Sequence, residues 1–362
     1  MFVAWRDLRF AKGRFALMGA VVVLITLLVG LLSGLTAGLG RQNTSAITGL
    51  PADRIAFQAP GDGQELSYSD STVTRRQWRQ WSRAPGVESA EPLGITTTRA
   101  TAGDRSTAVS AFGVEPGSAL APDGGRISDS AVVLSTAAAD GLGTRAGDSL
   151  TLAGQRLRVA AVEGDASFSH TPVIWTSLDV WRNAARSTGG GQGPTATVIA
   201  LTTASGADTA AVDRQAGTRT VTLGESLSAI GSYASENGSL QLMRGFLFAI
   251  SALVVGAFFT VWTIQRSGDV AVLKALGAST AGLLKDALGQ AVVLLAGGTL
   301  IGTGTAAALG ALVAGSAVPF LLTPATVLVP AAVMIILGVL GAALSIRRIT
   351  SVDPLTALGS AR

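Results

Sequence analysis

The chain has no cysteine and a single histidine, and these two shortages remove several kinds of chemistry at once. Without thiols there are no disulfides, no thiolate metal ligands and no cysteine nucleophile. With His170 alone, no multi-histidine metal site can be built, and a Ser-His-Asp triad can form at one place only. No G-x-x-x-x-G-K-[ST] run occurs, so the chain cannot cradle ATP phosphates in the P-loop manner. Charge is scarce as well: 14% of the residues are charged and 48% are hydrophobic, too apolar for an ordinary soluble protein.

The missing charge is concentrated. Leu17 to Gly40, Gly245 to Gln265 and Ala287 to Ile346 contain no charged residue. At roughly 20 residues per bilayer crossing, the first two stretches predict one span each. The third predicts two, divided by an uncharged link holding Pro319 and Pro324. The apolar core of Leu17 to Gly40 is too long for a signal peptide and reads as an uncleaved anchor.

Orientation follows from the basic residues near the spans. Arg6, Arg9, Lys12 and Arg14 precede the first span, Arg266, Lys274 and Lys285 lie between the second and third, and Arg347 and Arg348 follow the fourth. Both termini are therefore expected in the cytoplasm of a multi-pass plasma-membrane protein. The segment Arg41 to Arg244, with 17 arginines against 19 acidic residues, is expected outside. The net charge of +4 is then a topology signal; membrane lipid is an expected partner and nucleic acid is not.

The expected fold class is a membrane protein of four transmembrane α-helices with an extracytoplasmic α+β domain inserted between the first two. Its expected pieces are a cytoplasmic amphipathic helix over 1–16, a first span over 17–40, the outer domain over 41–235, and a second span with an outer extension over 236–265. A cytoplasmic helix over 266–286, a third span over 287–314, a short outer loop over 315–326, a fourth span over 327–346 and a cytoplasmic tail over 347–362 complete it.

In the outer segment, Val73 to Ser82 predicts a helix burying Trp78 and Trp81 on a sheet. Ala131 to Val162 reads as strand, helix, a turn at Arg145 to Asp148, then two strands joined at Ala153 to Gln155. Val173 to Trp175, Thr197 to Leu201 and Thr218 to Leu223 are further strands, and Ser187 to Gly193 is a loop. Gly30, Gly34 and Gly38 form a small-residue stripe on span one, suited either to a dimer or gating seam or to packing within one subunit.

A second informative stretch is Gly231 to Leu247. Continued outward as a helix from span two, it places Tyr233, Glu236, Leu240, Met243 and Leu247 on one face, with Arg244 beside Met243. Arg41 is read as capping the outer end of span one. Two readings stand: interfacial anchors with an acid at a helix N-terminus, or a site for an amphipathic anionic substrate entering from the outer leaflet. His170, in a Ser-Phe-Ser-His-Thr-Pro loop, is read as a surface residue remote from that face.

Between the second and third apolar runs, Arg266 to Gln290 reads as an amphipathic segment facing a cytosolic partner. Its Lys274-Ala275-Leu276-Gly277-Ala278-Ser279, with Asp269 ahead of it, resembles the cytoplasmic coupling helix of MacB/FtsX-type ABC transporter permeases. The family more often has Arg-x-x-Glu-Ile where this chain has Arg266-Ser267-Gly268-Asp269-Val270. The start Trp5-Arg6-Asp7-Leu8-Arg9, the Gly147-Asp148 pair opening a hairpin, and Asp353-Pro354-x-x-Ala357-Leu358 resemble three more pieces of the same family, in its order. The N-terminal helix is read both as a membrane anchor and as a second partner contact.

The resemblance implies a non-enzymatic permease subunit working as a homodimer with two copies of a separate ABC ATPase. ATP would bind the partner, and Asp269, Leu273, Lys274, Ala275, Leu276, Gly277, Ala278 and Ser279 would carry the coupling. No intrinsic cofactor or structural metal is implied. The nearest likeness within the family is to the HrtB-type haem exporter permeases, which makes haem the expected substrate. Tyr233, Glu236, Leu240, Met243, Arg244 and Arg41 would be its site, with Tyr233, Met243 or Glu236 toward the iron. The alternatives are an FtsX-like mechanotransmitter acting on a cell-wall hydrolase, or an exporter of lipid, lipoprotein or antibiotic.

Overall fold

The computed structural model describes residues 12–187, 195–265, 279–313 and 318–350, together with Gly268, Val272 and Gly277. The predicted N-terminal helix before residue 12, most of the coupling segment and the C-terminal element lie outside the described residues. The chain forms two compact units, Leu39–Gly238 and the remainder.

Long uncharged runs leave no water-side partner for backbone polar groups, so they satisfy themselves as helices. Helix α1 (Lys12–Thr48) is the first. In the outer unit follow β1 (Arg54–Gln58), α2 (Arg75–Trp81), β2 (Val87–Ala102), β3 (Arg105–Val114), β4 (Ala131–Leu134) and α3 (Thr136–Leu142). Then come β5 (Ser149–Leu152), β6 (Gln155–Val162), β7 (Ser167–Phe168), β8 (Thr171–Ser177) and α4 (Leu178–Ser187). The unit is completed by β9 (Val198–Thr203), α5 (Thr209–Ala216) and β10 (Thr218–Thr222). The remaining long helices are α6 (Gly231–Gln265), α7 (Thr280–Val313) and α8 (Pro324–Thr350).

The strands pair in the order β10-β1-β9-β2-β3-β8-β4-β6-β5, and a further pairing of β5 with β2 closes part of the sheet into a ring. The β3–β8 and β4–β6 pairs are parallel and the others antiparallel. Helix α2 starts as expected of Thr-x-x-Gln: Thr74 caps it and Gln77 reaches back in a capping box. It buries Trp81 completely, and the Trp78 and Trp81 indole N–H groups donate to Ala90 O at 2.8 Å and Thr218 Oγ1 at 3.0 Å. The hairpin β2–β3, absent from the sequence expectations, sets Gly94 opposite Gly113, and Trp181 of α4 lies over both. A Cβ at either position would strike the indole.

One aromatic cluster fills the domain's largest core. Tyr68 packs edge-on against Phe57 and Phe168, and Phe112 against Phe168 and Trp175. The end of α1 contributes Ala46 and Ile47 to this core, and Leu50 joins them from just beyond the helix. Burial pushes the Tyr68 phenol well above its ordinary pKa, partly offset by its hydrogen bond to Ser226.

Among the described residues four helices carry apolar spans, Ala16–Thr48, Gly231–Gln265, Lys285–Val313 and Pro324–Leu344; the other unit holds the last two whole and the first two apart from 39–48 and 231–238. Met18, Val22, Val255, Phe259, Trp262, Ala291, Leu295 and Ala342 form its buried center. The glycine stripe of α1 is used within this unit. Gly30 abuts Ala306 of α7, Gly34 and Gly310 both leave room for the Phe320 ring, and Gly38 lies against Pro319. The Leu321 amide donates to Gly34 O at 3.0 Å. The link before α8 is therefore seated in notches that only a missing side chain provides.

Candidate functional site

The site is assembled at a hairpin turn. Phe168 is anchored in the aromatic core and pairs with Thr171 across β7 and β8, leaving Ser169 and His170 as the two turn residues. Both have positive φ, 48° and 63°, as a two-residue type I′ turn requires. Such turns favor Asn-Gly; Ser-His pays for the left-handed geometry and is held by outside contacts. The Ser169 amide donates to Asn43 O at 3.0 Å and the His170 amide to Gln42 O at 3.2 Å. Ser45 Oγ, one turn along α1, accepts the Ser167 amide at 2.9 Å. The segment 165–170 is thus clasped along residues 41–45.

This placement corrects two expectations. His170 is not a remote surface residue: its Nε2 lies 2.9 and 3.0 Å from the Glu236 carboxylate oxygens and 3.0 Å from Asn43 Nδ2. Sequence distance hid this, because His170 and Glu236 are 66 residues apart and Ser-His carries no hairpin signature. Nor does Arg41 cap a helix end. Helix α1 continues to Thr48, because Arg41-Gln42-Asn43-Thr44-Ser45 holds no breaker, and Arg41 pairs with Asp165 at 2.7 Å. Both partners are largely exposed, so this pair adds little stability by itself.

The predicted substrate residues separate into groups. Glu236 is joined to Asn43, which is almost wholly buried, and through it to Ser232. Tyr233 packs against the aromatic core. Arg41 lines a different feature, a cavity of about 480 Å³ with Ala46, Leu50, Leu120, Asp165 and Trp175. Leu240, Met243 and Arg244 follow along α6 in the other compact unit, with Met243 about half exposed. Asn43, Ser169, Ser232 and His170 are the site residues that sequence reasoning missed. Among the described residues, no cluster of three or more His, Cys, Asp or Glu could hold a metal ion.

Of the predicted coupling residues, Asp269, Leu273, Lys274, Ala275, Leu276 and Ala278 lie outside the described residues. Gly277 has φ +93°, a left-handed conformation that glycine adopts without a Cβ penalty. The Ser279 hydroxyl accepts the Gly282 amide at 3.2 Å, so Ser279 acts as an N-cap at the start of α7. The third long helix therefore begins at Thr280, and Lys285 and Asp286 are continuous with the span rather than with the predicted coupling helix.

Four apolar spans and one α+β domain inserted after the first of them define an integral membrane protein with an extracytoplasmic domain. Residues 15–219 match the family described as MacB-like periplasmic core domain, over half the chain, and residues 242–354 match the FtsX-like permease C-terminal family. The chain belongs to the MacB/FtsX-type family of ABC transporter permeases.

Over 364 residues the chain is 24% identical to a Staphylococcus haemolyticus protein named as hemin transport system permease protein HrtB, covering 99% of each. It is 26% identical over 376 residues, again 99% of each, to an uncharacterized ABC transporter permease of Mycobacterium bovis. The crystal structure of the periplasmic region of MacB from Actinobacillus actinomycetemcomitans aligns with a TM-score of 0.34 at 12% identity, covering 49% of this chain and 92% of that one. Membership of an ABC transporter permease family implies an ABC ATPase partner.

Proposed function

We propose that this chain is the permease subunit of an ABC-type efflux pump that takes an amphipathic substrate, haem, from the membrane and releases it outside. The reading is supported above all by the end-to-end likeness to a relative named for hemin transport. Glu236 and Tyr233, both in the outer unit, offer oxygen ligands of the kind that hold haem iron weakly, which suits a carrier that must let its cargo go.

In this reading the chain is a homodimer in the plasma membrane, both termini cytoplasmic, with two copies of a separate ATPase that binds and hydrolyses ATP. Closure of the ATPases is transmitted through Asp269 to Ser279, with Lys274 and Leu276 at the contact. The break at Gly277 and the cap at Ser279 separate that lever from the third span. The test is a hemin titration of the permease–ATPase complex in lipid. Hemin-stimulated ATP hydrolysis and a Soret shift, both diminished by E236A and Y233A, are expected. ATPase activity indifferent to hemin but raised by lipid, peptide or a protein partner of the outer domain overturns haem in favor of another cargo or of mechanotransmission.

A further inference from the structure

On the outer turns of α6, Glu236 supplies a carboxylate, and that carboxylate already has partners. Asn43 Nδ2 lies 3.1 Å from Glu236 Oε2, and His170 Nε2 lies 2.9 and 3.0 Å from its two oxygens. Hydrogen placement follows from the surroundings. Asn43 Oδ1 accepts the Ser232 hydroxyl, so the amide NH₂ turns toward Glu236. A lone pair on His170 Nε2 would face the carboxylate and repel it, so Nε2 carries the hydrogen. The approach of Asn43 Nδ2 to His170 Nε2 is then two donors sharing one acceptor.

The imidazole is delivered by a turn with two non-glycine residues in the left-handed region, a strained geometry that persists only where surrounding contacts hold it. The contacts that hold it there are many: Phe168 in the core, two backbone bonds to α1, the Ser169 to Ser232 hydroxyl pair at 2.9 Å, and Glu236 itself. Three elements meet at one acid, and the acid keeps lone-pair capacity and is 40% exposed. A carboxylate held in one rotamer by buried and clasped donors meets an incoming ligand without first losing side-chain freedom.

We propose that His170, with Asn43, is a positioning residue for substrate capture: it fixes the direction of the Glu236 carboxylate from the β7–β8 turn. This rests on the reading of Glu236 as a substrate contact. The experiment is a hemin titration of the full-length permease in nanodiscs, followed by the Soret band, with H170A, H170Q, E236A and the H170A/E236A double variant. H170A is expected to weaken hemin binding roughly tenfold, the loss of one charge-assisted hydrogen bond. H170Q, whose amide N–H can still donate, is expected to recover most of that affinity, and the double variant to be no weaker than E236A.

H170A within twofold of a wild type that binds hemin overturns the positioning role and leaves the substrate reading standing. Equal losses in H170A and H170Q also overturn it, because they show a need for the imidazole's shape rather than its donor. A wild type with no Soret shift overturns the substrate reading and the role built on it. Hydrogen exchange gives an independent check. The Ser169 and His170 amides are expected to be protected in wild type and H170Q and to exchange faster in H170A; unprotected amides in wild type overturn the geometry itself.

Discussion

The outer domain and the membrane bundle bury their residues by opposite rules. In the domain, Trp81, Phe57 and Phe112 are fully enclosed, and their apolar surface, removed from water, drives the fold. In the bundle, only 22–28% of each apolar window is buried, and Leu253 and Leu300 are each 73% exposed. Lipid tails are as apolar as leucine, so exposure there costs nothing and association falls to close packing of small residues. Glycine serves both regions by letting an aromatic ring settle on backbone: Trp181 on Gly94 and Gly113, Phe320 on Gly34 and Gly310. Buried polar atoms without a partner among the described residues occur in both regions: the hydroxyls of Thr26, Ser33, Thr36 and Thr299 in the bundle, and Thr144 Oγ1 and the Trp175 and Trp181 indole nitrogens in the domain.

The comparison predicts graded effects. Phe112→Ala, emptying the domain's aromatic core, is expected to cost about 3–5 kcal/mol, read by urea unfolding of the full chain in nanodiscs; a cost below ~1 kcal/mol would break the claim that burial drives this half. Gly302→Leu should cost less, about 1–3 kcal/mol from overpacking, because its Cβ would sit 2.6 Å from the Val23 carbonyl oxygen. Detergent-induced unfolding should show that loss in the bundle while the domain's tryptophan fluorescence transition stays in place. A shifted domain transition would mean the two regions do not obey separate rules.

Tyr68→Phe removes a 2.9 Å hydrogen bond to Ser226 and is expected to cost about 1 kcal/mol at neutral pH. The wild type should also lose stability as pH rises past the ordinary tyrosine value of 10.0. The sign follows from the raised phenol: the unfolded chain ionizes above that value while the folded one resists, so the stabilization present below it is lost above it. Unfolding measured on both sides of that value should show the extra loss in wild type and not in Y68F. The smallest effect is expected for Leu253→Ala on the outside of α6, within about 0.5 kcal/mol. A larger loss in lipid would mark that exposed face as an interface with another chain.

Much of the architecture was legible without coordinates. Uncharged length alone located the spans, and the Ala131 to Val162 pattern, punctuated by turns at Arg145 to Asp148 and Ala153 to Gln155, yielded β4, α3, β5 and β6. The β2–β3 hairpin was not legible: its Thr- and Ala-rich strands lack strong alternation, and Pro92 and Gly94 argue locally against a strand. The candidate site was only half legible. Glu236 and Tyr233 showed themselves by helical spacing, but Asn43 and His170 reach Glu236 from segments far away in sequence.

Sequence by itself determined that this chain enters a membrane, how many times, and which family's landmarks it carries, because hydrophobic length and charge asymmetry act locally along the chain. Tertiary structure alone decided that the Gly30–Gly34–Gly38 stripe packs inside one subunit, that Arg41 pairs with Asp165, and that the lone histidine meets Glu236. Those outcomes depend on which distant backbones approach each other, and a two-residue turn with positive φ at Ser169 and His170 is fixed by the contacts around it rather than by its own residues.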